Sequence, residues 1–340
     1  MQQSSKIFLI AKTLFLKLLN LFVSVYLVAS ASFFLLRFLP GSPFSSERHL
    51  SPEILANLEA KYNLNKPLLE QYFDYIAALF INFDFGPSLK YPNRDVLDIL
   101  LDAFPVSFSL GLIAFFIALI AGVLGGIFLS CYEKKFFTKN KAINSIIFAI
   151  LSFFSNSAIA LPSFISAGVL IAFFGLYLNI LPVALWEGPA YVILPSLTLA
   201  VSPSAYIMRI TRASFNNILE ENYIRIARAK GLSNWVILLK HAFKNSLLPL
   251  LAYIGPMFAI LITGAFVVEF IFALPGMGKY FVTAFINRDY FLVTGVVIVF
   301  STILSFSNMV VELVNPLVNP KLRTWLYFFL KRVGLQKCSI

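Results

Sequence analysis

Hydrophobic and polar positions along this chain come in long blocks, without the short alternation of a soluble fold. Apolar runs cover residues 14–36, 105–130, 143–176, 191–210, 250–272 and 291–314. Each reaches or exceeds the roughly 20 residues that a helix needs to cross a bilayer. The pattern predicts six transmembrane helices in an all-α, polytopic membrane protein. The run at 143–176 is too long for one straight helix and contains Leu161-Pro162-Ser163, so a kink or break is expected there. Gly122 and Gly125 in the second run, with Gly111 and Gly126 nearby, permit close approach of helix backbones. The longest polar connection follows the first run. In it Ser51-Pro52-Glu53 opens an amphipathic helix reaching Tyr62, and a second helix is expected over 66–80.

Composition agrees with the blocks and charge orients them. The 340 residues are 59% hydrophobic and only 13% charged, where a soluble domain has about a quarter charged. The net charge of +11 suggests a polyanionic ligand until its distribution is considered. Of the 27 Lys and Arg, 19 fall in four segments: 3 in 1–17, 4 in 131–142, 7 in 209–244 and 5 in 315–340. These segments alternate with the remaining connections, as the positive-inside rule requires, and no nucleic-acid partner is implied. Both termini and the 209–249 segment are therefore expected in the cytoplasm. Residues 37–105 carry nine acidic against six basic residues and are expected outside. Ala29-Ser30-Ala31 resembles a signal-peptidase site, but the apolar run continues to Leu36, so the first helix is read as retained. Cys131 and Cys338 both fall on the positive side as free thiols and imply neither a disulfide nor a metal framework.

The segment 209–249 holds more Lys and Arg than any other connection, seven, with two acidic residues. Glu221 to Lys230 has good helix formers throughout and meets Gly231, which ends helices in the left-handed conformation. Ser233 is a natural N-cap for a second helix starting near Asn234. Two short helices around a glycine corner are expected. A ten-residue helix is marginal alone in water and needs a docking surface. Tyr223, Ile226, Ala227 and Lys230 share one face, with Arg225 and Arg228 on another. On the residues alone, an ordinary solvated basic loop is the competing reading.

Tyr223-Ile-Arg-Ile-Ala-Arg-Ala-Lys-Gly-Leu232, followed by Leu239-Lys-His-Ala-Phe-Lys-Asn-Ser-Leu-Leu-Pro249, closely resembles the cytoplasmic loop of binding-protein-dependent ABC importer permeases. The peptide and nickel branch fits best, in particular its oligopeptide and dipeptide permease B subunits. Arg225-Ile226-Ala227 stand where the wider superfamily has Glu-Ala-Ala, and Leu248-Pro249 lies farther from the glycine than in sugar importers. Leu39-Pro-Gly-Ser-Pro43, the run Tyr62 to Tyr72, Asp84-Phe-Gly86, Val268-Glu269 through Gly278, and Asn319-Pro-Lys-Leu-Arg323 extend the resemblance over roughly 30–323. The resemblance implies that Tyr223, Arg225, Ala227, Arg228, Ala229, Lys230, Gly231 and Leu232 form a coupling helix that docks on an ATPase subunit. Ala227 and Ala229 would keep its docking face shallow. It further implies a second permease subunit, an extracytoplasmic solute-binding protein, a peptide substrate and residence in a bacterial inner membrane.

No phosphate-binding loop is written in the chain. Gly276-Met-Gly278-Lys279-Tyr280 lacks the earlier glycine and the following Ser or Thr. No His-Glu-x-x-His occurs, and Gly86-Pro-Ser88 lacks the following glycine of a serine nucleophile. The chain is read as non-catalytic, without cofactor or metal, with ATP hydrolysed by partner subunits. Glu269 is an acidic group placed inside a span, where a mid-bilayer carboxylate costs about 2.5–3.5 kcal/mol. It is a candidate for the translocation path or gate; the structural alternative is a helix-end residue bonded to the neighbouring loop. The expected organisation is a cytoplasmic N-terminus and first helix at 1–36, an extracytoplasmic region at 37–104, a permease core at 105–323 and a cytoplasmic tail at 324–340. The function expected is that of an ATP-driven importer permease for oligopeptides or dipeptides. The alternatives are nickel or another solute of the same family, or an ion-coupled secondary transporter, which usually needs several intramembrane charges or an internal repeat.

Overall fold

The computed structural model describes residues 2–38, 59–134, 141–263 and 265–318. Among them there is no β-strand, only an isolated bridge between Pro87 and Asp95. Six helical segments are long and apolar enough to cross a membrane: Leu14–Phe38, Val96–Glu133, Ile143–Ala160, Ala190–Leu219, Pro249–Ile271 and Tyr290–Leu313. These correspond to the six predicted runs. The helix expected over 51–62 lies mostly outside the described residues, as do Leu39–Pro43, Cys338 and the segment from 319 onward; 59–61 are helical.

The chain folds as two compact units. Of the described residues, the first holds those up to 109 and those in 184–186 and 263–306. Helix α1 (Gln2–Phe38) packs on α2 (Leu68–Asn82), which is displaced by two residues from its expected position. The contact is largely aromatic: Phe33 and Phe34 meet Tyr72, and Phe33 stacks on Tyr75. The Tyr72 hydroxyl bonds with those of Tyr26 at 2.9 Å and Ser30 at 2.8 Å. Arg37 lays its guanidinium 3.5 Å above the Phe33 ring and donates to Gln71, which satisfies a cation at the end of an apolar helix. Helix α3 (Val96–Glu133) begins nine residues before the expected Pro105. Its first turns are amphipathic: Val96, Ile99, Leu100 and Ala103 are buried, while Asp98 and Asp102 face outward and Asp102 pairs with Arg94. The charges stopped the apolar run, but not the helix.

Of the described residues, the second unit holds those in 110–183 and 187–262 and those from 307 onward. Helix α4 (Lys141–Ser157) passes through a 3₁₀ turn at Ala158–Ala160, and α5 (Ser163–Leu170) starts after Pro162, continuing as a wider π turn over Ile171–Tyr177. The break is where the proline denies the helix a donor, as predicted. Helix α6 (Ala190–Leu219) is the hub: 56% of its most apolar window is buried, against 11% for Ile143–Ala160. It runs nine residues past its expected end at Ile210, through Arg212. Helix α3 lies against it without space for a side chain. A Cβ on Gly122 would fall 2.6 Å from that of Ile207, and one on Gly126 would fall 2.6 Å from that of Thr211. The predicted small-residue approach is thus made, with α6 as its partner.

Candidate functional site

After α6 the chain turns at Glu220 and forms α7 (Asn222–Ala229), then α8 (Asn234–Val236), a π turn over Ile237–Ala242 and α9 (Phe243–Ser246). The corner between α7 and α8 is built as its sequence predicts. Gly231 has φ +79°, Leu232 N–H reaches Ala227 C=O at 3.3 Å, and Gly231 N–H reaches Arg228 C=O at 2.9 Å. This pair of bonds is the Schellman closure of a helix end, which needs the left-handed residue that glycine supplies. Ser233 occupies the extended N-cap conformation of α8 (φ −65°, ψ 151°), although its side chain makes no capping bond.

The faces of α7 differ in part from those expected. Ile224 and Ala227 turn inward and form a small buried cluster with Ile237. Ala227 therefore belongs to the support of the corner and not to its outer face. Arg225, Ala229, Lys230 and Gly231 are exposed, as is Arg228. Around them stands an apolar surface of Tyr223, Ile226, Leu232, Val236, Trp235 at 64% exposure and Leu239 at 67%. Tyr223 keeps its ring outward while its hydroxyl accepts from Asn245 Nδ2 at 3.2 Å and donates to His241 C=O at 3.4 Å. Beneath the corner, Cys131, Phe215, Leu219, Leu238 and Ala242 form one apolar cluster. A short helix too weak to stand alone is thereby held in one orientation.

Where α3 ends beside α6, a polar network had escaped the sequence reading. Arg212 donates to Glu133, Asn216 Nδ2 donates to Glu133 Oε2 at 2.7 Å, and Ser130 Oγ donates to Asn216 Oδ1 at 2.7 Å. Lys134 pairs with Glu220, and its ammonium holds the Glu220 carboxyl below its ordinary range. No signal in the chain joins residues about 80 apart, so only the packing of α3 on α6 reveals them.

Glu269 lies near the end of its span, on α11 (Phe266–Ile271), which follows α10 (Leu248–Thr263). Its side chain is 1% exposed and occupied. Its Oε2 accepts Gly278 N–H at 2.7 Å. Ser107 Oγ accepts Met277 N–H at 2.8 Å. The carboxylate thus caps the N-terminus of α12 (Met277–Ile286), where the unpaired amides and the helix dipole favour a negative charge. Gly276-Met-Gly278 is the sequence that lets it approach. A Cβ on Gly276 would lie 2.3 Å from Glu269 Oε2, and one on Gly278 would lie 2.3 Å from the Phe266 backbone.

A second buried carboxylate does similar work. Asp289 is the N-cap of α13 (Tyr290–Val318), accepting Leu292 N–H at 3.2 Å. Its other oxygen takes the Ser88 hydroxyl at 2.5 Å and Leu89 N–H at 3.1 Å. The Asp289-Tyr290 junction carries an N-cap signal that could have been found by inspection. The Ser and Thr positions of α6 mostly face inward. Thr198 and Ser204 bond back to their own helix, and Thr211 packs against Gly126. Among the described residues no cluster of three or more His, Cys, Asp or Glu has metal-binding geometry.

Comparison with known proteins places this geometry. Residues 122–324 match the family described as binding-protein-dependent transport system inner membrane component. Residues 9–111 match the companion family for the N-terminal part of such membrane components. The chain is 43% identical over 314 residues to the oligopeptide transport system permease protein OppB of Haemophilus influenzae, covering 92% of this chain and 99% of the relative. It is 39% identical over 300 residues to the dipeptide transport system permease protein DppB of Bacillus subtilis, covering 88% and 94%. It is 40% identical over 302 residues to OppB of Escherichia coli, covering 88% and 95%. Among solved structures, an inward-facing conformation of the MetNI methionine ABC transporter shares the fold, with TM-score 0.53 at 15% identity, over 66% of this chain and 97% of that one.

Proposed function

The chain belongs to the family of binding-protein-dependent transport system inner membrane components, and we propose that it is a permease subunit of an ATP-driven importer of oligopeptides or dipeptides. It is a non-catalytic, multi-pass inner-membrane protein. The observation that carries the substrate class is the 43% identity across 99% of a peptide permease's length. A nickel or other solute specificity, or ion coupling, finds no comparable support, and Glu269 is engaged in capping α12.

In this reading the corner of α7 and α8 projects into the cytoplasm and docks on an ATPase subunit. Arg225, Arg228, Ala229, Lys230, Gly231 and Leu232 lie on or beside the docking surface, with Tyr223, Ile226 and Trp235. Ala227 supports it from below. Exposed apolar groups ringed by cations are what a partner's apolar groove with an acidic rim would bury. The importer's inward-open and outward-open states differ in free energy by an amount that events at the ATPase must shift. A rigid, packed corner transmits such a shift where a flexible loop would absorb it. Residues 37–104 form the extracytoplasmic region that meets a solute-binding protein, 105–323 the permease core and 324–340 a cytoplasmic tail; both termini are cytoplasmic. Glu269 holds α12 in place at the outer end of the core, a gate-positioning role. A second permease subunit completes the pathway.

The test is purification through a tag on this chain in mild detergent, followed by reconstitution. An ATPase and a second permease should co-purify, and labelled trialanine should be taken up only with ATP. Uptake by the lone polypeptide without nucleotide would overturn the reading.

A further inference from the structure

We propose that Glu133, Arg212 and Asn216 are positioning residues that make α3 and α6 move as one body with the docking corner. The inference rests on the coupling role given to that corner above.

Helix α6 runs into the corner with only Glu220 and Glu221 between it and α7. Displacement of a docked α7 therefore acts first on the end of α6. Along their length α3 and α6 touch through glycines: besides the contacts of Gly122 and Gly126, a Cβ on Gly125 would meet Met208 Cε at 2.4 Å. Glycine contacts of this kind resist compression but hold little against separation or sliding. The polar network supplies what they lack. Glu133 takes Arg212 with one oxygen and Asn216 with the other, while Ser130, one turn earlier on α3, donates to Asn216. Arg212 and Asn216 are themselves one turn apart on α6, so the link is a two-rung ladder that fixes axial register as well as distance. Glu133 and Arg212 are each about three-quarters covered, with side chains 27% and 26% exposed. Their attraction is therefore less screened than that of a solvated pair. Arg212 also reaches toward α4, with Ser152 Oγ at 3.5 Å and the Phe148 ring 5.7 Å from its guanidinium carbon. One arginine thus gathers three helices at the point where the chain leaves for the corner. The exposed Lys134–Glu220 pair adds a weaker tie beside it.

The experiment uses the complete transporter purified through a tag on this chain and reconstituted in proteoliposomes. Three readouts are taken: ATPase subunit retained, ATP hydrolysed, and labelled trialanine taken up per ATP. Glu133→Gln should retain the ATPase at the wild-type level yet lower uptake per ATP at least about fivefold, the low end of ordinary coupling between sites. The swap Glu133→Arg with Arg212→Glu should recover most of that loss. A merely structural role would lower yield and Tm while leaving uptake per ATP unchanged. Wild-type stoichiometry in Glu133→Gln overturns the proposal. Should Glu133→Gln lose the ATPase altogether, the swap decides: recovery of retention and uptake supports the link, and recovery of neither overturns it. Failure of the underlying reading shows separately, as wild-type protein that retains no ATPase or takes up no trialanine.

Discussion

Glu269 Oε2 stands 2.7 Å from the amide nitrogen of Gly278, so a carboxylate at the end of one span fixes the start of the next helix. Its partner is a donor on the peptide backbone, with the Ser107 hydroxyl close by, the surroundings of a cap and not of a proton relay. Glu269→Gln should destabilise the detergent-solubilised protein by about 1–2 kcal/mol, the value of a charge-assisted bond to a helix terminus. The pH profile of uptake should keep its shape. A profile displaced along the pH axis in the Gln variant would restore a proton-linked role.

Gly276→Ala tests the same knot from its other side. The added methyl would sit 2.3 Å from Glu269 Oε2 and 2.7 Å from Ser107 Oγ. Overpacking of this kind costs about 1–3 kcal/mol where neighbours can shift, and here they are a cap and its support. Tm should fall more than in Glu269→Gln, and the double variant should lose less than the sum of the two. Additive losses would show that the methyl clashes elsewhere.

Asp289→Ala should cost about 2–4 kcal/mol, because it uncaps α13 and leaves the buried amides of Leu89 and Leu292 without an acceptor. Ser88→Ala removes one donor and should cost about 1 kcal/mol. A double-mutant cycle read by thermal unfolding in detergent should give a coupling of at least about 0.5 kcal/mol. Zero coupling would mean that the 2.5 Å contact carries no stability.

At Gly231 a new Cβ would meet nothing within 4 Å, so the penalty for substitution is the backbone's alone. Holding an L-residue at φ +79° costs about 1–2 kcal/mol, more for a β-branched side chain and less for Asn. Gly231→Val should insert normally but uncouple uptake from ATP hydrolysis, and Gly231→Asn should retain most uptake. Normal transport by the Val variant would count against the corner's role.

The docking surface can be tested directly at Trp235, which is 64% exposed. Trp235→Ser should weaken retention of the ATPase by about 2 kcal/mol, or roughly 30-fold in affinity, if it is a central anchor. Sidedness has its own test in a Cys338→Ser background, since Cys131 is fully buried. An impermeant maleimide should label Glu187→Cys in intact cells and Ser233→Cys only after permeabilisation.

The chain's own order of residues settled what depends on local chemistry. Six apolar runs imply six spans because lipid cannot satisfy an exposed backbone, and a helix satisfies its own. Lys230-Gly231-Leu232-Ser233 dictates a helix end and a new start because only glycine enters the left-handed region cheaply. Helix ends were misjudged where charge was taken for a boundary, at Asp98 and Arg212. Those charges are tolerated because the helix face bearing Asp98 looks outward and because Arg212 meets Glu133. What tertiary packing alone decided are the pairings of distant residues: Glu133 with Arg212, Ser88 with Asp289, Ser107 with Met277, and the inward turn of Ala227 onto Ile237. A side chain's local periodicity tells which neighbours share its face, but the partner across a helix interface depends on which helices lie side by side. That arrangement is set by the summed burial and close packing of whole helices, to which no short stretch of sequence is a guide.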